Sequence, residues 1–145
     1  MGRFWAFILT ASLLWISATA LAGEEAKFTR LVIPVVNQNE LMVLLDLDGT
    51  VTTPGRRYLD AGHSVTLKTS DPALDGQRLE YQHTLDISRV DQGIEPWCRV
   101  KIKTVNDAGR PGSVLTYCSA ASSDQRCALQ VYNEAQVCWV LVTVH

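Results

Sequence analysis

The side chains able to do chemistry are few and scattered. Three histidines are present, His63, His83 and His145. A histidine serves as general base only beside a group it can deprotonate, and no Ser or Cys of this chain stands in a recognisable nucleophile elbow. His83 lies between Tyr81 and Leu85 in an alternating run, which predicts a place in the core or at its margin. Two carboxylate pairs, Asp71 with Asp75 and Asp91 with Glu95, have the residue types of a glycosidase acid–base pair or of calcium ligands. Both lie among turn formers, where acidic side chains commonly serve the backbone. Cys98, Cys118, Cys127 and Cys138 include no Cys-x-x-Cys pair and no histidine pair at metal-ligand spacing, so structural zinc is not expected. Joined as disulfides, they offer no thiolate. No complete catalytic set and no metal site emerge, and the chain is expected not to be an enzyme.

One short motif points the other way: Leu44-Leu45-Asp46-Leu47-Asp48-Gly49-Thr50-Val51. It resembles the first motif of the haloacid dehalogenase superfamily, an apolar strand delivering Asp-x-Asp-Gly-Thr. The resemblance implies a phosphoryl-accepting nucleophile at Asp46, a general acid and base at Asp48, and magnesium to neutralise the phosphate. That family needs a doubly wound parallel sheet with alternating helices. The residues after Thr50 instead carry strand patterns, and Lys68, Asp71 and Asp75 follow too closely for the crossovers between parallel strands. The preferred reading is a hairpin, with Asp48-Gly49 as a type I′ turn between strands over 41–47 and 50–53.

The elements that must position these residues are strands. Short β-branched runs separated by turn chemistry predict strands over 28–36, 41–47, 50–53, 63–69, 79–88, 97–105, 113–118, 127–132 and 136–144. Groups such as Asn37-Gln38-Asn39, Ser70-Asp71-Pro72, Asp91-Gln92-Gly93 and the segment 107–112 supply the turns. The expected fold is an all-β antiparallel sandwich of roughly eight to ten short strands closed by two disulfides. Pro34 cannot donate to a ladder, which predicts an edge strand or a bulge there. The run Val137 to Val142 is apolar on both faces, which predicts a strand covered on both sides.

The chain has 145 residues, 47% of them hydrophobic and 19% charged, room for one domain with a real core. Arg3 is the one basic residue before Lys27, residues 4–22 carry no charge, and Ala20-Leu21-Ala22 precedes Gly23. This is the pattern of a cleavable signal peptide over 1–22 and a single mature domain over 23–145, with no stable membrane insertion after cleavage. Removing Arg3 from the thirteen basic residues leaves twelve against fifteen acidic ones, a mildly acidic mature chain with no like-charge block. A nucleic-acid partner is not expected. An even number of cysteines in an exported chain predicts disulfides and an oxidising compartment.

Register follows from the turns. Folding strand 97–105 onto strand 113–118 about Ala108 sets Cys98 opposite Cys118, within reach of a cross-strand bond, and leaves Cys127 to Cys138. Folding 79–88 onto 97–105 about the loop 91–95 sets Asp86 beside Arg99, Thr84 beside Lys101 and Gln82 beside Lys103. The first hairpin adds Tyr117 beside Arg99. Glu80, Gln82, Asp86, Arg99, Lys101, Lys103 and Tyr117 then share one outward face carrying both charge signs and an aromatic ring, the composition of a recognition surface.

The cleavable leader, the mature length, the strand-rich pattern and the four cysteines are similar to those of periplasmic immunity proteins that Gram-negative bacteria make against peptidoglycan-degrading effectors of the type VI secretion system. In particular, the layout resembles that of the immunity partner of a muramidase effector. The resemblance implies a periplasmic, non-catalytic β-sandwich whose partner is a cell-wall hydrolase effector. It implies no resident cofactor, with calcium entering through the effector. The alternative is an exported carbohydrate-binding or adhesive module, for which Trp97, Tyr81, Tyr117 and Tyr132 are the candidate aromatics.

Overall fold

The computed structural model describes residues 28–48, 55–110, 113–134 and 136–145; the expected leader over 1–22 lies outside them. The described residues form strands and no helix: β1 (Phe28–Asn37), β2 (Met42–Leu47), β3 (Arg56–Leu59), β4 (Ser64–Pro72), β5 (Arg78–Val90), β6 (Ile94–Arg110), β7 (Ser113–Ser122), β8 (Cys127–Glu134) and β9 (Val137–Val144). They make a four-stranded sheet in the order β4-β1-β9-β8 and a five-stranded sheet in the order β3-β2-β5-β6-β7. All pairings are antiparallel except β1 with β9.

Alternation decides what the two sheets bury between them. Leu31, Ile33 and Val35 of β1, Leu67 of β4 and Val140 and Val142 of β9 meet Val43 and Leu45 of β2, Leu85 and Ile87 of β5 and Val100 and Ile102 of β6, each at most 1% exposed. Removing each such side chain from water contributes roughly 1.5–3 kcal/mol. Asn37 fixes the corner after β1: its amide donates to the carbonyls of Leu41 (3.0 Å) and Leu59 (3.1 Å), and its oxygen accepts the Asn39 N–H (3.0 Å).

The all-β sandwich expectation holds, with five corrections in detail. First, β1 is an interior strand although it contains Pro34. Its ladder to β4 is continuous, and its pairing with β9 lapses at Ile33 and Pro34 and resumes at Val35 with the same offset. The missing donor is therefore absorbed without an edge or a bulge. Second, the hairpin after β2 is not closed by Asp48-Gly49. The β2–β3 register pairs Asp46 with Arg56 and centres on residue 51, and Leu47 N–H donates to Gly55 O, so a longer connection joins the strands. Residues 49–54, including the expected strand 50–53, lie outside the described residues. Third, Ser70-Asp71-Pro72 belongs to β4 and not to a turn.

Fourth, β6 does not turn at Ala108 but continues to Arg110, pairing Thr104 with Cys118 and Lys103 with Ser119. This centres the β6–β7 hairpin near residue 111, three residues beyond the expected pivot, and carries Cys118 six positions away from Cys98. The expected pairing of Cys98 with Cys118 and of Cys127 with Cys138 is replaced by Cys98–Cys127 and Cys118–Cys138. Cys98 and Cys118 lie in the five-stranded sheet and Cys127 and Cys138 in the other. Both bridges therefore staple sheet to sheet along one flank instead of strand to strand. Fifth, β9 is an interior strand, but only its even positions are fully buried, while Val137, Trp139, Leu141 and Thr143 are half-covered.

Candidate functional site

The outward face of the five-stranded sheet holds all seven residues expected to form a recognition surface. A tight loop, Asp91-Gln92-Gly93, closes β5 onto β6, with Asp91 N–H donating to Gly93 O and Gln92 in the left-handed region at φ 49°. The resulting register pairs Asp86 with Arg99, Thr84 with Lys101 and Gln82 with Lys103, as the turn chemistry predicts. Arg99 Nε donates to Asp86 Oδ1 at 2.6 Å, and this charged hydrogen bond holds the guanidinium pKa above its ordinary value. Lys103 reaches diagonally to Glu80 at 3.3 Å. Lys101, between these two ion pairs, has no ion-pair partner among the described residues.

Tyr117 is outward and 53% exposed, but it stands opposite Val105 and not beside Arg99. The longer β6 is the reason, since it moves the whole of β7 along its neighbour. The charged row also extends further than expected. Asp46 of β2 lies opposite both Asp86 and Arg56, so the row Arg56, Asp46, Asp86, Arg99 crosses four strands.

A register shift between Ile87 and Ser88 ends this face in a recess of about 500 Å³ lined by Asp86, Ser88, Pro96, Trp97, Arg99 and Ser123, among others. Two guanidinium groups lie over the Trp97 ring, Arg89 at 4.4 Å and Arg126 at 4.1 Å from its centroid. Its indole N–H donates to His145 O at 2.9 Å, and Arg89 is held by Glu95 at 2.7 Å. Trp97 thus already carries two cation–π contacts.

The remaining candidates have structural partners. Asp46 is a surface residue of β2, and Asp48 accepts the Thr84 N–H at 2.7 Å, so the two carboxylates of the Asp-x-Asp motif point to different tasks. His63 is exposed, its Nδ1 3.1 Å from Ala61 O. Glu95 is committed to Arg89. Unlike the exposed Asp75, Asp71 is buried. It is 2% exposed between the sheets, where its Oδ2 lies 2.8 Å from His83 Nε2 and accepts the Thr104 hydroxyl at 3.0 Å. Asn106, fully buried, donates to the carbonyls of Asp71 and Pro72. Burial alone would lower the His83 pKa, but the hydrogen bond and charge of Asp71 outweigh it and hold the imidazole above its usual value. His83 and Thr104 converge on one carboxylate oxygen, so the cluster is a clamp between sheets and not a relay in which a base activates a hydroxyl. Sequence reasoning missed this clamp. Its signal was a histidine at an inward position of an otherwise apolar stripe, which demands a buried acceptor.

Comparison with protein-family models gives no match to this chain, and comparison with curated proteins gives none either.

Proposed function

We propose that the protein is an exported inhibitor of the immunity type, resident in the periplasm after loss of residues 1–22, which binds and blocks a peptidoglycan-degrading toxin. The observation that carries this reading is the outward face of β5, β6 and β7. There Lys101 stands uncommitted between the Arg99–Asp86 and Lys103–Glu80 pairs, with Tyr117 exposed at the same face. A surface with an unspent cation, held pairs of both signs and a large exposed aromatic suits a partner of acidic, polar relief such as the substrate groove of a glycan hydrolase. Two disulfides between the sheets support the same reading, because a framework already rigid loses little entropy on binding. They also suit an oxidising compartment.

The carbohydrate-binding alternative has less to stand on. The most exposed tyrosines, Tyr58 on β3, Tyr117 on β7 and Tyr132 on β8, occupy opposite edges of one sheet and a strand of the other, and do not form a shared stacking platform. The test is a titration of the purified protein into peptidoglycan hydrolases of the producing strain, read as release of soluble fragments from purified cell-wall sacculi. Stoichiometric loss of one activity is expected. Saturable binding to the sacculi with every hydrolase unaffected would replace this reading with the glycan-binding one.

A further inference from the structure

The outward face of the four-stranded sheet is built differently from the face described above. Down its two central strands, β1 places Arg30, Val32, Pro34 and Val36 on this side, Val32 beneath its neighbours at 6% exposure, and β9 places Val137, Trp139, Leu141 and Thr143 there. These positions alternate with Leu31, Ile33, Val35, Cys138, Val140 and Val142, all in the inter-sheet core, so they point away from it. β8 adds Glu134, Tyr132, Gln130 and Ala128 on one side. Apart from Arg30 and the hydroxyl of Thr143, the two middle strands carry apolar side chains on this side, half-covered except for the buried Val32, whereas β5 and β6 of the other sheet present Glu80, Asp86, Arg99, Lys101 and Lys103 among other charges.

The rows across this face have a property that selects its occupant. Arg30 pairs with Val137, and Val137 with Glu134, so a cation and an anion lie in one row on opposite sides of β9. In the next row Val32 and Tyr132 flank Trp139 in the same way. A twofold axis lying over β9, close to the strand direction, exchanges the β1 side of one copy with the β8 side of the other and leaves each row in place. It therefore sets Arg30 against Glu134 of a second copy, Val32 against its Tyr132, and Trp139 and Leu141 against themselves. Like charges never meet under this operation, and the apolar centre is covered by an apolar centre. We propose that the four-stranded sheet is a self-association surface and that the protein forms an isologous dimer through it, leaving the outward face of β5, β6 and β7 free on both copies.

The experiment is sedimentation velocity of the purified protein from about 1 µM to about 1 mM, with circular dichroism to confirm folding of each variant. The wild type should move from monomer to dimer within this range. Leu141→Lys, which places two ammonium groups together on the axis, should keep it monomeric. Arg30→Glu should weaken association about tenfold, since it sets like charges together twice per dimer. The exchange Arg30→Glu with Glu134→Arg should restore it. A wild type that stays monomeric throughout overturns the proposal. So does a dimer that Leu141→Lys leaves intact, or a charge exchange that fails to restore what Arg30→Glu loses.

Discussion

Asp71→Asn isolates the buried clamp between the sheets. In the native protein the His83 ring is 3% exposed and its Nε2 meets a carboxylate at 2.8 Å, with Asp48 adding a weaker pull in the same direction. The folded-state pKa of His83 is raised, so the folded protein binds the proton more tightly than the unfolded chain. This contribution is complete below the unfolded value, near 6.5, and is lost as pH rises through the folded pKa; the slope of stability against pH across that window is negative. In Asp71→Asn the hydrogen bond and charge that raise the pKa most are gone, and burial, which lowers it, is opposed only by the weaker pull of Asp48. The folded variant then binds the proton less tightly than the wild type does, and this histidine's negative contribution to the slope is reduced. Breaking a buried pair costs about 3–5 kcal/mol where a charge is stranded, and the larger value is expected at acidic pH, where His83 of the variant must be either charged without a counter-ion or neutralised. For a domain of this size that is a drop of roughly 10–25 °C in Tm. The assay is urea unfolding followed by tryptophan fluorescence from pH 5.5 to 9 under non-reducing conditions, with the wild-type curve subtracted. A difference between the two proteins that does not shrink as pH rises would refute the assignment of Asp71 as the group that holds the His83 proton.

Non-reducing peptide mapping should link Cys98 to Cys127 and Cys118 to Cys138, and any other pairing contradicts the register of β6 with β7. Replacing either pair by serine should cost roughly 2–4 kcal/mol, slightly more for the bridge of separation 29 than for that of 20, measured by urea unfolding. Asn37→Ala should destabilise by about 2–4 kcal/mol in the same assay, because the carbonyls of Leu41 and Leu59 lose their donor and Asn39 its acceptor. Asp86→Ala, by contrast, removes an exposed ion pair and should shift stability by less than about 1 kcal/mol.

What the sequence made legible was parity, and what it hid was length. Alternation assigned inward and outward positions correctly along β5 and β6 on the far side of the shift at Ile87, and there the register is the one expected from the short loop Asp91-Gln92-Gly93. The β6–β7 register was misjudged because Asn106-Asp107-Ala108-Gly109 has the composition of a turn. It extends as strand because its polar groups are satisfied there: the Asn106 amide by the carbonyls of Asp71 and Pro72, the Ala108 N–H by Gln77 O, and the Ala108 carbonyl by Gly76 N–H. The resulting displacement is an even number of residues, so every side chain of β7 kept its face while changing its neighbour. That is why Tyr117 is outward as expected yet opposite Val105, and why the cysteines were recognised as bridged but wrongly paired. The Asp71–His83 clamp joins residues of different sheets, a juxtaposition that no local spacing encodes.

The central claim is that the outward face of β5, β6 and β7 is the surface through which a cell-wall hydrolase is blocked. The measurement that bears on it most directly is the inhibition constant of Glu80→Ala, Lys101→Ala and Tyr117→Ala, each taken with its Tm, against the hydrolase that the wild type inhibits. All three side chains are exposed, so Tm should move by no more than a few degrees. Lys101→Ala and Tyr117→Ala should raise the inhibition constant by roughly tenfold or more, the loss expected when a central contact of an interface is truncated. Inhibition unchanged in all three variants would contradict the claim and move the surface to the loops 73–77 and 123–126.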